Sequence, residues 1–129
     1  MTHTVLYDPE SVVAQSMPLD REMHLALTAA VLAWEPGEAG LRSADVEQIS
    51  LQLTGHARCV ASDLRNALEH LPKDSELRPL TEAVLREAAR RLSVPSHNSV
   101  PHAQNRARLV RALHRALDRL DAVRPAVAT

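Results

Sequence analysis

The chain has 129 residues, 45% hydrophobic and 24% charged, with a formal net charge of −1. That is the profile of one soluble globular domain, and it excludes a global electrostatic pull toward nucleic acid or membrane. A single cysteine, Cys59, excludes an intramolecular disulfide and a cysteine-based zinc site.

Phenylalanine is absent, and Trp34, Tyr7 and Ile49 are the only residues of their types. The core must therefore be built from Leu, Val and Ala. These favour helices, and the β-branched and aromatic residues that sheets use are scarce. Residues 1–15 read as a tail or a short extra helix around Val5, Leu6, Val12 and Val13. The first full helix is expected at about 19–35, with Met23, Leu27, Ala30, Val31 and Trp34 as its buried stripe. The second and longest is expected at about 44–71. Ser43 is its expected N-cap, Asp45 and Glu47 are acids in its first turn, and its stripe is Val46, Ile49, Leu53, Ala57, Val60, Leu64, Ala67 and Leu71. The third, about 76–92, carries Leu77, Leu80, Val84, Ala88 and Leu92, with Pro79 confined to a first turn. The fourth, about 100–123, turns Val110, Leu113, Leu117 and Leu120 inward, with Ala103, Ala107 and Ala116 close by. Pro18, Pro36, Pro72, Pro95, Pro101 and Pro125 fall between these segments. The expectation is one all-α domain over 1–129, an antiparallel four-helix bundle with a weakly ordered N-terminal segment.

Charge is unevenly spread. Residues 1–38 carry six acids against Arg21, and residues 102–124 carry six arginines against Asp118 and Asp121. Docking of the acidic N-terminal part near the last helix is the simplest account. On that helix Arg108, Arg111, Arg115 and Arg119 share one face. The simplest account is a solvated face partly paired with acids such as Asp118 and Glu87; as a partner surface it suits an acidic protein better than nucleic acid, since no aromatic residue lies near it for base stacking.

On the second helix His56, Cys59, Asp63, Asn66 and His70 form a strip beside the apolar stripe. Metal sites in bundles draw ligands from several helices, commonly through Glu-x-x-His pairs, which are lacking here. The strip reads as a polar boundary, with His56 a hydrogen-bonded boundary histidine and Cys59 a small hydrophobe. Gly55 costs a helix about 1 kcal/mol relative to alanine, so close approach of another helix or of Trp34 is expected there. No Gly-x-Ser-x-Gly elbow and no glycine-rich phosphate loop occur. No residue is assigned a catalytic role, and no metal or cofactor is expected.

Two stretches carry a resemblance. Leu51-Gln52-Leu53-Thr54-Gly55-His56, after Asp45-Val46-Glu47, resembles the L-x-L-x-G-H segment of the DUF6415 family, small actinobacterial proteins of unknown function labelled natural product biosynthesis proteins. Leu71-Pro72-Lys73-Asp74 resembles that family's inter-helix turn. His102-Ala103-Gln104, Ala107-Arg108, Val110 and Ala112-Leu113 resemble its H-A-Q-x-x-A-R-x-V-x-A-L helix. The similarity spans about 41–121. Where family members continue with a C-D-H-Y-like segment, this chain has His114-Arg115-Ala116-Leu117. The resemblance implies an accessory role near biosynthetic or regulatory genes in a streptomycete-like host.

Three functions follow as expectations. The first is a non-catalytic interaction protein with a protein partner or a second copy of itself. The second is a small enzyme or ligand-binding bundle using Gly55, His56 and Asp63 against Arg108. The third is regulatory nucleic-acid binding through Arg108, Arg111, Arg115 and Arg119. The chain lacks an apolar run of transmembrane length and a basic-then-apolar N-terminal signal, so a cytoplasmic location without membrane partners is expected.

Overall fold

In a computed structural model the described residues are 18–35, 40–95 and 98–123. The expected tail at 1–15 and the prolines at 36 and 125 lie outside them. The described residues form four helices: α1 (Pro18–Leu32), α2 (Ser43–Glu69), α3 (Leu77–Leu92) and α4 (Val100–Val123). No strand occurs among the described residues. None of the helices is long and apolar enough to cross a membrane.

Contacts between helix ends fix the directions. Arg21, early in α1, pairs with Asp118, late in α4. Gln104, early in α4, reaches the carbonyls of Val31 and Trp34 at the end of α1. These two helices therefore run oppositely. Arg58 of α2 donates to Leu92 O at the end of α3, and Arg78 at the start of α3 donates to Leu68 O near the end of α2. That pair is antiparallel as well. Thr54 meets Arg106, while Ala67 and Leu120 border one cleft farther along, so α2 and α4 run parallel. Successive helices alternate in direction, as short connections require.

The α2–α4 contact is the most extensive and holds the core. Leu53, Ala57, Val60, Ala61 and Leu64 face Ala103, Ala107, Val110, Leu113, Ala116 and Leu120. The many alanines let the two backbones approach closely. α1 packs mainly on α4, α3 on both α2 and α4, and α1 touches α2 only slightly.

The expected apolar stripes of α2 and α4 are buried or half-buried. Those of α1 and α3 need correction. On α1 Met23 is 56% exposed and Ala30 is exposed, while His24, Thr28 and Val31 are buried. On α3 Leu80 is exposed and Thr81 is buried. In both helices a polar residue takes the inward position beside the apolar one that the hydrophobic pattern favoured. Pro18, Pro79 and Pro101 all fall within first turns, where a missing N–H is harmless.

The helix ends follow a common device. α2 begins after Arg42, in extended conformation without a side-chain cap, so Ser43 is its first residue and not its N-cap. Ahead of it Gly40 holds φ +96°, a left-handed turn that glycine alone adopts without strain. α4 does have a cap: Ser99 Oγ accepts the N–H of His102 at 3.2 Å. The C-terminal carbonyls are taken by side chains from later helices. Gln104 covers α1. Arg78 donates to Leu68 O and Leu71 O of the α2 end, at 3.0 and 2.7 Å. Arg106 does the same for α3. A cation at a helix C-terminus also meets the negative end of the helix dipole.

Gly55 is exposed, and a Cβ added there meets no atom within 4 Å. The expected close approach of another helix or of Trp34 does not occur. Gly55→Ala is therefore expected to stabilise the fold by about 1 kcal/mol, raising Tm by several degrees. A thermal melt in which the variant unfolds at or below the wild-type temperature sinks this expectation.

Candidate functional site

Three helices bring three histidines together inside the bundle. His24 of α1, His56 of α2 and His114 of α4 are 8%, 8% and 5% exposed. The rings of His24 and His56 stack face to face, with centroids 4.0 Å apart and planes within 1° of parallel. His56 Nε2 and His114 Nε2 lie 2.9 Å apart, so one ring carries the proton there and the other presents its lone pair. The Gln52 amide nitrogen lies 3.4 Å from His24 Nε2.

Two buried hydroxyls extend this polar seam. Thr28 follows His24 by one turn of α1, and Ser50 precedes His56 on the oppositely running α2, so both lie toward the same end of the bundle. Neither Thr28 Oγ1 nor Ser50 Oγ has a hydrogen-bond partner among the described residues. Each such hydroxyl costs about 1–3 kcal/mol when dry.

Stacked rings present faces to each other and not nitrogens. Among the described residues no group of three His, Cys, Asp or Glu is placed to hold a metal ion. The helix strip proposed from sequence spreads apart in the same way. His56 turns inward and Cys59 is exposed, contrary to its expected role as a packed small hydrophobe. Asp63 is half-buried, and His70 Nδ1 donates to its own helix at Asn66 O, 2.9 Å away.

A second polar feature lies next to the seam. Arg106 is 1% exposed, and its guanidinium donates to Thr54 Oγ1 (2.8 Å), Arg91 O (2.9 Å) and Val94 O (2.7 Å). Burial first, then the like charges of Arg58 and Arg91, push its pKa down.

The residues expected to form a site between α2 and the last helix part company. His56 does reach α4, but through His114. Gly55 and Arg108 are exposed. Arg111, Arg115 and Arg119 are exposed with Arg108 on the outer side of α4, and none of the four forms an ion pair or side-chain hydrogen bond among the described residues. The acids expected to pair with them are engaged elsewhere. Asp118 binds Arg21 at 2.8 Å, and Glu87 binds Arg90 and Arg91. At this contact α1 supplies the base and α4 the acid; Asp8, Glu10 and Glu38, among the acids expected to dock near the last helix, lie outside the described residues.

His24, His114, Arg106, Thr28 and Ser50 escaped the sequence reading. The signal for two of them was spacing: His24 and Thr28 share a face with Val31, and His114 stands between Val110 and Leu117 at core intervals. Comparison with protein-family models, curated proteins and solved structures finds no match for this chain.

Proposed function

We propose that this is a non-catalytic helical interaction protein that docks an acidic protein surface on the outer face of α4. The observation that carries this is the arginine ladder: Arg108, Arg111, Arg115 and Arg119 are all exposed, while Asp118 and Glu87 are bound to other arginines. The ladder runs along a helix that packs on the other three, so the backbone fixes the spacing of its side chains along one face. Rows of guanidinium groups steer and orient a carboxylate-rich partner. The resemblance to the DUF6415 family supports placing that partner in natural product biosynthesis or its regulation in an actinobacterium, within the cytoplasm. Nucleic acid is the competing polyanion, and the lack of an aromatic residue near the ladder in the sequence disfavours it.

A variant with all four arginines changed to glutamine is expected to fold as the wild type does, since exposed substitutions of this kind cost little. In capture experiments from lysate of the native organism, wild type should retain a protein that the variant loses, and added salt should weaken that capture. Identical recovery by both proteins refutes the proposal. Retardation of DNA or RNA by wild type alone transfers the face to nucleic acid.

A further inference from the structure

The junction of α3 and α4 forms a cleft of about 570 Å³ on the outside of the bundle, bordered by Glu87, Arg90, Arg91, His102, Asn105 and Arg106. Its charge is unbalanced. At the floor, Arg106 is buried and donates only to neutral acceptors, a hydroxyl and two carbonyls. The α3 dipole offsets part of that charge, and no carboxylate among the described residues binds it. At the rim, Arg90 and Arg91 share one acid, Glu87. Three guanidinium groups thus face one carboxylate.

We infer that this cleft binds a phosphate dianion, free or as part of a small phosphomonoester, between Arg90 and Arg91 and above Arg106. Guanidinium forks match phosphate oxygens two at a time. The cleft lies within the volume range of small-molecule sites. Its arginines come from two helices and border one cleft, which suits a compact anion, whereas the ladder on α4 is linear. Glu87 holds the rim arginines in the meantime as an internal carboxylate. Arg90, whose side chain is 73% exposed, is free to swing to a ligand of higher charge. Asn105 adds a neutral amide donor at the cleft wall. This site is separate from the α4 ladder and does not depend on it.

The test is titration of the isotope-labelled full chain at low ionic strength with inorganic phosphate, adenosine monophosphate and adenosine, followed by NMR. Saturable shifts at the amides of Arg90, Arg91, Asn105 and Arg106 are expected for the two phosphate compounds, with Kd about 1 mM or tighter, and none for adenosine. Tighter binding of the nucleotide assigns the site to a phosphomonoester, and equal binding assigns it to phosphate alone. The Glu87 carboxyl provides a second readout. Arg90, then Arg91, hold its pKa below the ordinary glutamate value. A ligand that draws them away should move its titration upward. The double variant Arg90→Gln with Arg91→Gln, at exposed and half-exposed positions, should stay folded and weaken phosphate binding about tenfold or more. Non-saturating shifts, or equal affinity in the double variant, overturn the assignment.

Discussion

Arg106→Ala is expected to destabilise the fold by about 3 kcal/mol. Arg106 ties α4 to both α2 and α3. Its Nε binds Thr54 Oγ1 on α2, and its two Nη groups bind Arg91 O and Val94 O at the end of α3. Truncation removes a donor from three acceptors, of which Arg91 O keeps the Val94 N–H, and leaves a void where a full arginine stem was packed. Relief of a desolvated cation opposes this, which keeps the estimate near 3 kcal/mol and not at the sum of three charged hydrogen bonds. Arg106→Met separates the contributions. Methionine restores much of the volume and none of the donors, so it should recover no more than about 1 kcal/mol. Urea unfolding with an unchanged m-value measures both. A loss under 1 kcal/mol for the alanine variant, or full rescue by methionine, shows that packing and not hydrogen bonding holds this junction.

The helices were legible in the sequence because they rest on spacing. Eight apolar residues at steps of three and four along α2 can bury together only on a helix, and the prolines bracket the segments. The orientation of the outer helices was less legible. α1 has two candidate stripes one residue apart, and the apolar one, with Met23, looked better than the one with His24 and Thr28. Hydrophobicity decides such a choice only when the opposing surface is apolar. Here α2 and α4 oppose His24 with two more histidines, a fact that belongs to tertiary structure alone. Gly55 misled for a similar reason: a helix glycine signals a need for space, but a sequence does not say whether anything fills that space. Arg106 was read as part of a basic helix, and nothing local separates it from Arg108 two residues on. Only the packing of α3 buries one and leaves the other in solvent.

His56→Ala is expected to cost about 3 kcal/mol, because His56 is the middle member of the histidine seam. Its ring covers one face of His24 at 4.0 Å and its Nε2 meets His114 Nε2 at 2.9 Å, so truncation removes a stack, a buried hydrogen bond and the volume of a ring at once. The cost should be cooperative. Once His56 is alanine, His114→Ala removes a side chain that has already lost that bond, so the double variant should lose about 1 kcal/mol less than the two single losses added together. Additive losses would mean that the 2.9 Å contact contributes nothing beyond packing. The same variants separate structure from chemistry. If the seam specifies how α1 seats on the α2–α4 pair, His56→Leu, which keeps a ring-sized apolar group, should lower stability and leave partner capture by the α4 arginines intact wherever the variant remains folded. A folded His56→Leu protein that loses its partner would instead place the functional surface across α1 and α2. It would also make the Gly55-His56 step, exposed on one side and buried on the other, the hinge between interior and surface.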